Sequence, residues 1–293
     1  MPTLPTVLVF GRSGQLATAL SAHQAPTIIA LGRSEADVTS EEAVRAALGR
    51  YRPQLVINAS AYTAVDKAES ERAAAEALNS SAPGLLAQAS EEAGAAFVHV
   101  STDYVFDGEA GAPYAETHPT SPVNFYGETK EKGERAVLAA GGRQAIIRTS
   151  WVFSGGGANF VRTMLRLASE RDAIGVVADQ QGRPTSAADL ALACLAVGER
   201  LLAGDQAARG VFHFANAGDA NWAELASAVM EEAARLGART AAIRPITTAD
   251  YPTPAKRPRD SRLATGRIEA LMGAAPRPWR AALPEAVASI IRG

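Results

Sequence analysis

Short apolar segments alternate with amphipathic segments along the first half of the chain. Continuous apolar runs, which are typical of strands buried on both faces, occur at Thr6–Phe10, Thr27–Leu31, Leu55–Asn58, Ala96–Val100 and Ala145–Arg148. Helices are predicted between these runs at Gln15–His23, Glu41–Arg50, Ala68–Leu78, Ala82–Ala93 and Tyr126–Ala140. Regular alternation of strand and helix indicates right-handed βαβ units. We therefore expect an α/β fold with a doubly wound parallel sheet of the Rossmann type.

The pattern becomes less regular after residue 148. Further predicted elements are helices at Phe160–Ala168, Ala187–Leu202, Trp222–Leu236 and near Pro284–Ile291, and a strand at Val211–Ala215. A proline-rich, basic loop, Tyr251–Arg262, precedes the last helix. We expect residues 1–150 to form a dinucleotide-binding domain and residues 151–293 to form mainly a smaller substrate-binding lobe. Some of the later segments are expected to return to the first domain.

Composition narrows the class of protein. With 47% hydrophobic and 20% charged residues, the chain is neither disordered nor fibrous. A net charge of -2 gives no basic excess for nucleic-acid binding. Because Cys194 is the single cysteine, an internal disulfide is excluded, and its apolar context predicts a core residue. The four histidines are dispersed along the sequence and predict no metal site. Because no long apolar stretch or signal peptide is evident, we expect no membrane partner and a cytoplasmic protein.

A glycine-containing turn follows the first predicted strand. Gly11 begins a G-x-x-G-x-x-A sequence that ends at Ala17. Gly11 permits a tight turn, Gly14 lets a pyrophosphate approach the backbone, and Ala17 allows the helix to pack closely on the sheet. The N–H groups at the start of the helix also favour phosphate. The predicted dinucleotide contacts in this turn are Gly11, Arg12, Ser13, Gly14, Gln15 and Leu16.

The residues that follow the second predicted strand indicate whether the dinucleotide is NADH or NADPH. Gly32 and Arg33 stand where an acidic residue would bind the ribose hydroxyls of NADH. Arg33 can bind a 2′-phosphate, with Arg12 as a second cation, so NADPH is favoured and NADH stays possible. The alternative is that Arg33 is a solvated surface residue. The other predicted cofactor contacts are Asp37, Val38, Ala61, Tyr62 and Thr63.

Tyr126 and Lys130 form the first candidate catalytic pair. Their i,i+4 spacing puts them on one face of the predicted helix. A phenol ordinarily titrates near pH 10, and a nearby ammonium together with a cationic nicotinamide would lower its pKa. Thr102 follows the fourth predicted strand, at the same sheet edge, where its hydroxyl could hydrogen-bond a substrate carbonyl. The alternatives are a β-branched strand end for Thr102 and a turn residue for Asp103.

A set of segments spread over almost the whole chain carries a family resemblance. These segments are Phe10–Leu16, Asn58–Glu71, Ser101–Gly108, Tyr126–Lys130, Arg148–Phe153, Asn159–Ala168, Asp179–Thr185 and Tyr251–Pro258. In them the chain resembles the dTDP-4-dehydrorhamnose reductases, a family of extended short-chain dehydrogenases/reductases. The resemblance implies NADPH-dependent reduction of the C4 ketone of dTDP-4-dehydro-β-L-rhamnose, the last step of dTDP-L-rhamnose synthesis.

The resemblance also implies roles for individual residues. Tyr126 would donate the proton, while Lys130 would tune the phenol and hold the nicotinamide ribose. Thr102 would polarise the ketone, Asp103 would contact the sugar, and Trp151 would offer its ring to the apolar face of the hexose. The alternative for Trp151 is core packing.

The basic loop has an implied role in substrate binding. Lys256, Arg257 and Arg259 could clamp the diphosphate of a dTDP-sugar. The alternative is a solvated basic loop.

One position departs from the family pattern. Some relatives are described as dimers bridged by magnesium through glutamates, one of them in the first helix, where this chain has Ala19. A shared magnesium site is therefore doubtful, and a monomer or weak homodimer is expected.

Three other functions stay open. A dehydratase or epimerase of the same fold is one, although dehydratases carry an Asp-Glu pair where this chain has Asp103 and Tyr104. A catalytically silent, cofactor-binding regulatory subunit, like those of methionine adenosyltransferase, is another. The third is a reductase of a different nucleotide-linked 4-keto sugar.

Overall fold

The structure is a computed structural model that describes residues 5–23 and 26–293. The strands are β1 (Thr6–Phe10), β2 (Thr27–Leu31), β3 (Leu55–Asn58), β4 (Ala96–Thr102), β5 (Gln144–Thr149), β6 (Val152–Phe153), β7 (Ala173–Val177), β8 (Gln181–Gly182), β9 (Thr185–Ser186), β10 (Gly210–His213), β11 (Ala220–Asn221) and β12 (Ala242–Ile246). The α-helices are α1 (Gln15–Ser21), α2 (Glu41–Tyr51), α3 (Val65–Ala68), α4 (Arg72–Glu76), α5 (Ala82–Glu92), α6 (Phe125–Ala140), α7 (Phe160–Glu170), α8 (Ala187–Leu202), α9 (Trp222–Arg235), α10 (Gly266–Met272) and α11 (Trp279–Arg292).

Six parallel strands form the central sheet in the order β10-β5-β4-β3-β1-β2. The apolar runs are continuous because helices cover both faces. In β1, Val7 and Val9 belong to a core cluster that includes residues of α1 and α8, whereas Leu8 and Phe10 belong to one that includes residues of α2, α5 and α6. The predicted α/β fold with a doubly wound parallel sheet is confirmed, and its first three strands have the predicted bounds.

A second core lies outside the large sheet. The amphipathic helices α7, α9 and α11 bury their apolar faces against the parallel pair β7 and β12. β10 and α8, although late in the sequence, join the central sheet and its covering layer. We propose the domain boundary near residue 150, with these two elements as the segments that return to the first domain.

The predicted helix at Ala68–Leu78 is wrong in detail. The segment consists of the short helices α3 and α4, followed by a π-helical turn at Ala77–Ser81. Asn79 in that turn accepts a hydrogen bond from the backbone N–H of Tyr62 and donates to the carbonyl oxygen of Tyr62 and to Thr129. The backbone carbonyl oxygen of Asn79 lies so close to Gly133 of α6 that a Cβ at Gly133 would have no room. This long-range packing accounts for a break that helical periodicity does not reveal.

Two further differences arise in the second lobe. α11 begins at Trp279, five residues before the predicted start, and carries Pro284 in its interior. Although proline lacks the N–H for an intrahelical bond, the core burial of Trp279 and Leu283 holds this first turn. The strands β7 and β12 were not predicted, because Gly175 and Pro245 are residue types that strands disfavour.

The described residues include no helix that is both long and apolar enough to cross a membrane.

Candidate active site

The carboxyl ends of the parallel strands meet at one edge of the sheet. The chain places β2 on one side of β1 and then β3 on its other side, so strand order reverses between β1 and β3. Ligands of open α/β sheets bind at such a switch point. Gly11 lies there with φ of +114°, and a Cβ on it would lie 2.9 Å from the carbonyl oxygen of Ala59. Glycine is therefore required at this position by both backbone conformation and close approach.

An acidic side chain lies at the end of β2, although the sequence places none directly after that strand. Glu35 folds back so that its Oε2 accepts from the backbone N–H of Gly32 at 2.9 Å and pairs with Arg12 Nη1 at 2.9 Å. Arg33 is mostly exposed and pairs with Asp37 at 3.1 Å. The carboxylate of Asp37 also accepts from the N–H and hydroxyl of Thr39, and these hydrogen bonds lower the pKa of Asp37. The two arginines predicted to bind a 2′-phosphate are thus each paired with a carboxylate.

The other predicted cofactor contacts in the glycine-containing turn differ in burial and in hydrogen-bond partners. The side-chain oxygen of Gln15 accepts hydrogen bonds from Ser154 at 2.8 Å and Asn159 at 3.1 Å, which ties α1 to the second lobe. Leu16 is a buried core residue, Ser13 is exposed, and Gly14 donates its N–H to the carbonyl oxygen of Gly11 at 2.9 Å.

The contacts predicted after β2 and β3 also differ from one another. Val38 is buried in the core on the α2 side of the sheet. Ala61 is partly buried, and Thr63 is exposed. The hydroxyl of Tyr62 donates to Glu71 at 2.6 Å, and this hydrogen bond raises the pKa of Tyr62 to about 12.

Thr102, Asp103 and Tyr126 come together at the carboxyl edge. Thr102 ends β4, Asp103 opens a 3₁₀ turn, and Tyr126 lies in the first turn of α6, whose N-terminus is capped by Asn124. The Thr102 hydroxyl donates to Asp103 Oδ1 at 3.0 Å. All three side chains are buried. Such a cluster can present a hydroxyl, a carboxyl group and a phenol to one carbonyl substrate.

The protein surroundings raise the pKa of Tyr126, whereas the predicted lowering concerned Lys130 together with a cationic nicotinamide. Burial raises it to about 12, the negative charge of Asp103 adds to the increase, and an interaction with Thr102 opposes it. Burial dominates because the phenolate loses its hydration. A phenol with this pKa keeps its proton at neutral pH, as a proton donor must.

Asp103 is a buried carboxyl group with a perturbed pKa. Burial raises its pKa to about 6, against an interaction with Ser261 and the hydrogen bond from Thr102. Its Oδ2 is buried and has no hydrogen-bond partner within the described ranges. A perturbed acid in such a place is typical of a functional site.

Replacing Asp103 by Asn is expected to stabilise the protein at neutral pH. Because the folded pKa lies above the usual 3.8, this carboxyl favours folding most below that value, and its contribution is lost as pH rises through about 6. The ionised group therefore costs up to about 3 kcal/mol at neutral pH. Thermal unfolding should show a gain for Asp103→Asn at pH of about 7.5 that shrinks toward pH of about 4.

Asp107→Asn is the matched control for this prediction. Hydrogen bonds, above all from Tyr114, lower the pKa of Asp107, so its ionised form stabilises the fold. This variant should lose stability at neutral pH, opposite to Asp103→Asn. A loss of stability in Asp103→Asn at neutral pH would contradict the role of burial.

Lys130 lies deep beside the same edge. Its ammonium group donates to the carbonyl oxygen of Val100 at 2.7 Å and lies 3.4 Å from Nε2 of His99. Burial lowers the pKa of Lys130 to about 8, and the negative charge of Glu134 opposes that shift. Glu134 is itself held by Arg148 through hydrogen bonds of 2.9 and 2.6 Å.

A cavity of about 780 Å³ lies mainly in the second lobe, and Tyr104, whose ring contacts that of Tyr126, is part of its lining. Asp66, Tyr104 and Arg257 line one end, and Phe160 and Trp222 contribute to the wall. Its size and mixed lining fit a nucleotide-linked ligand.

Trp151 and Trp222 stack on each other beside this cavity. Their ring centroids are 3.6 Å apart, with 10° between the planes. Trp151 has φ of +48°, and its ring leaves no room for a Cβ at Gly182. The Nε1 of Trp222 donates to Gln180 at 3.2 Å. Trp222 lines the cavity, whereas Trp151, a predicted sugar contact, does not line it and reaches it only by stacking on Trp222.

The basic loop is anchored to residues of both lobes. Arg257 forms a two-pronged pair with Asp66, with Nη2 donating to Oδ2 at 2.8 Å, and it also interacts with the Tyr104 hydroxyl. The carbonyl oxygen of Lys256 accepts from Asn124 at 2.7 Å, and that of Arg259 accepts from the N–H of Gln181. Sequence positions almost two hundred residues apart thus meet at the mouth of the cavity.

No group of three or more His, Cys, Asp or Glu residues in the described chain is arranged to hold a metal ion. Cys194 is buried in the core beside the central sheet, as its sequence context predicts.

A family model described as RmlD substrate binding domain matches residues 5–291. The chain belongs to this family. The resemblance read from the sequence segments is thereby confirmed, and it extends across both lobes.

Individual members of the RmlD family are similar over nearly their full length. A dTDP-4-dehydrorhamnose reductase of Streptomyces griseus is 45% identical over 285 residues, covering 96% of this chain and 92% of the relative. A protein of Streptomyces antibioticus, named as a probable dTDP-4,6-dihydroxy-2-methyloxan-3-one 4-ketoreductase, is 43% identical over 97% of this chain and 95% of its own. The crystal structure of a Bacillus anthracis dTDP-4-dehydrorhamnose reductase in complex with NADP has a TM-score of 0.87 and 34% identity, covering 96% and 97% of the two chains.

Several residues of the site were missed by reading the sequence. Trp222 lies in a segment whose local pattern indicates only a helix, and Asp66 lies just before the predicted helix Ala68–Leu78 with no local signal for its partner. Glu35 lies three residues after Gly32, at the spacing at which a side chain can fold back onto a backbone N–H. The spacing of Lys130 and Glu134 was a usable signal, because it equals that of Tyr126 and Lys130.

Proposed function

We propose that this protein reduces the C4 ketone of dTDP-4-dehydro-β-L-rhamnose with NADPH to give dTDP-L-rhamnose. The observation that carries the proposal is the buried cluster of Thr102, Asp103 and Tyr126 at the carboxyl edge, where Tyr126 contacts the cavity-lining Tyr104 and lies one helical turn from Lys130. Membership of the RmlD family and the names of its similar members support the same reaction. The enzyme would be an NADPH-dependent oxidoreductase.

NADPH fits the residues at the switch point. Gly11 lets the turn after β1 approach the segment after β3 closely. Arg12 and Arg33 supply two positive charges at the end of β2. The proposed contacts are Gly11, Arg12, Ser13, Gly14, Gln15, Leu16, Arg33, Asp37, Val38, Ala61, Tyr62, Thr63, Tyr126 and Lys130. When bound, the nicotinamide supplies the hydride.

The side chains divide the remaining work. The Tyr126 hydroxyl donates its proton to the substrate oxygen as the C4 carbon is reduced, and the Thr102 hydroxyl turns from Asp103 to donate a hydrogen bond to that oxygen. Lys130 supplies positive charge behind the phenol. Asp103 and Trp151 are proposed sugar contacts, with Trp222 presenting the ring nearest the cavity. Lys256 and Arg257 are proposed to hold the diphosphate, and Arg257 would exchange part of its pairing with Asp66 for phosphate.

A panel of dTDP- and UDP-linked 4-keto sugars tests the proposal. NADPH absorbance should fall fastest with dTDP-4-dehydro-L-rhamnose. Absence of turnover with every sugar, despite tight NADPH binding, would favour the regulatory subunit. Faster turnover of another dTDP-sugar would favour the second candidate, a 4-ketoreductase of a different deoxyhexose, for which the Streptomyces antibioticus relative is the specific observation.

Replacing Glu35 by Gln is expected to increase the preference for NADPH over NADH. Glu35 occupies Arg12 and the Gly32 N–H, two groups suited to a 2′-phosphate, and its charge repels that phosphate. Because the pair is partly exposed, we expect roughly a three- to tenfold change in the ratio of dissociation constants. Titration of each dinucleotide by fluorescence measures it.

Arg33→Ala is the control for the cofactor prediction. Loss of a cation beside the phosphate should shift the ratio toward NADH, opposite to Glu35→Gln. If the ratio of the NADPH and NADH dissociation constants is unchanged in Glu35→Gln, Glu35 does not influence the choice of cofactor.

We further propose a monomer or weak homodimer without a bridging magnesium ion, since Ala19 has no side-chain carboxylate to bind the metal. A cytoplasmic location is proposed because the phosphorylated substrate and cofactor do not cross membranes unaided.

A further inference from the structure

A buried polar row runs from the end of β3 to α6. Asn58 Nδ2 lies 3.1 Å from Nδ1 of His99, and His99 Nε2 lies 3.4 Å from Nζ of Lys130. Asn58 and His99 are fully buried, and Lys130 is 2% exposed. Polar groups so deeply buried must match donors to acceptors, so the hydrogen positions in this row can be worked out in sequence.

The orientation of the Asn58 amide is fixed by Ser60. The backbone N–H of Ser60 approaches Asn58 Oδ1 at 3.0 Å, and the Ser60 hydroxyl donates to the same oxygen at 2.6 Å. A backbone N–H can only donate, so the atom facing it must be the amide oxygen. The NH₂ group of Asn58 therefore faces His99, and Nδ1 of His99 must accept a hydrogen bond.

His99 consequently carries its hydrogen on Nε2. Burial, and to a lesser extent the positive charge of Lys130, hold the pKa of His99 well below its usual range, so the imidazole is neutral. A neutral imidazole has one N–H. With Nδ1 accepting from Asn58, that N–H is on Nε2 and points toward Nζ of Lys130.

An ammonium group cannot accept this hydrogen bond, whereas a neutral amine can. We propose that Asn58 and His99 are positioning residues that bias Lys130 toward its neutral amine form. This inference rests on the roles proposed above for Tyr126 and Lys130. It concerns two residues that do not themselves contact the reacting atoms.

The other charges around Lys130 leave room for this effect. Glu134, on the same helix, favours the ammonium form, but its carboxylate is shared with Arg148 of β5. Asp103, in the 3₁₀ turn packed against α6, acts on Tyr126. The π-helical turn Ala77–Ser81, which also packs against α6, carries no charged residue. The lowered pKa of Lys130, about 8, agrees with the direction of the proposal.

This bias suits the reaction. When Tyr126 gives its proton to the substrate oxygen, a phenolate remains. A proton from the Lys130 ammonium can restore the phenol, leaving a neutral amine that accepts the His99 N–H and later regains a proton from water. Stabilising the amine lowers the cost of the proton transfer.

Asn58→Asp is the decisive variant. A carboxylate keeps both hydrogen bonds from Ser60 but accepts from His99, so the imidazole hydrogen moves to Nδ1 and Nε2 becomes an acceptor for the Lys130 ammonium. The pKa of Lys130 should rise by about one to two units, which is ten- to 100-fold in proton affinity. The upper limb of the pH profile of kcat should move with it.

Nuclear magnetic resonance of the full-length protein measures both groups directly. The chain contains only four histidines and four lysines, so ¹⁵N-histidine and ¹³C-lysine spectra are simple to assign. We expect the Nε2–H form of His99 and the lowest lysine pKa at Lys130 in the parent. Asn58→Asp should show the Nδ1–H form or a charged imidazole, and a raised Lys130 pKa. Ser60→Ala, which keeps the backbone N–H, should retain the parental tautomer.

Two outcomes would overturn the proposal. One is an Nδ1–H imidazole at His99 in the parent, a result that needs no variant to fold. The other is an unchanged Lys130 pKa in a folded Asn58→Asp protein. Neither measurement uses substrate, so failure of the proposed reduction with every 4-keto sugar would be recognised separately.

Discussion

Turnover should fall by roughly 10²–10⁴-fold when Tyr126 is replaced by Phe, because the change removes a general acid. The structure predicts little other damage. The phenyl ring keeps its edge-to-face contact with Tyr104, whose centroid is 5.7 Å away. Thr102 loses its interaction with the Tyr126 hydroxyl, but its own hydroxyl still donates to Asp103 at 3.0 Å. Among the described residues the change creates no additional buried donor without a partner, so the free energy of unfolding should change by less than about 1 kcal/mol.

Steady-state kinetics and NADPH titration together test this expectation. The loss should appear in kcat, whereas the dissociation constant for NADPH should stay within about threefold. Tyr104→Phe is the matched comparison, because it removes a hydroxyl from the neighbouring ring that interacts with Arg257. Its loss of turnover should be less than about tenfold. If Tyr126→Phe turns over nearly as fast as the parent, Tyr126 is not the proton donor.

Glu134→Ala should lower the free energy of unfolding by about 3–5 kcal/mol, because it leaves a buried cation without its partner. Glu134 and Arg148 are 3% and 6% exposed, and two guanidinium nitrogens contact the carboxylate. A third, Nη1, faces Nε2 of the neutral His213 at 3.3 Å, which supplies no compensating charge. The midpoint of thermal unfolding should fall by roughly 6–20 °C.

Chemical and thermal unfolding would measure this cost, with two companion variants. Lys132→Ala breaks an exposed pair with Glu76 on the surface of α6 and should cost less than about 1 kcal/mol. The double variant Glu134→Leu, Arg148→Met should recover most of the loss, since buried ion pairs often exchange for apolar residues at little net cost. A Glu134→Ala protein as stable as Lys132→Ala would show that water reaches the buried guanidinium.

The same pair bears on catalysis. Glu134 favours the ammonium form of Lys130, whereas burial and the proposed N–H of His99 favour the amine. The protonation of Lys130 thus depends on opposing contributions from its own helix and from β4.

Local pattern was enough to define the layers of the fold. Apolar runs such as Thr6–Phe10 predict strands because burial on both faces leaves no polar position in the run. The spacing of Tyr126 and Lys130 puts both on one helix face, since i and i+4 are neighbours on any α-helix. The turn at Gly11 reflects a backbone conformation that other residues rarely adopt. In each case the physical cause acts within about ten residues.

Only the tertiary structure decided how the site is charged and lined. The ring of Trp151 meets Trp222, Arg257 meets Asp66, and His99 faces Lys130 through contacts that no local period encodes. Burial also raises the pKa of Tyr126, an effect that the helical spacing does not reveal because desolvation depends on every element packed around the phenol. The sequence by itself determined which residues stand at the carboxyl edge of the sheet. Their partners and protonation follow from long-range packing.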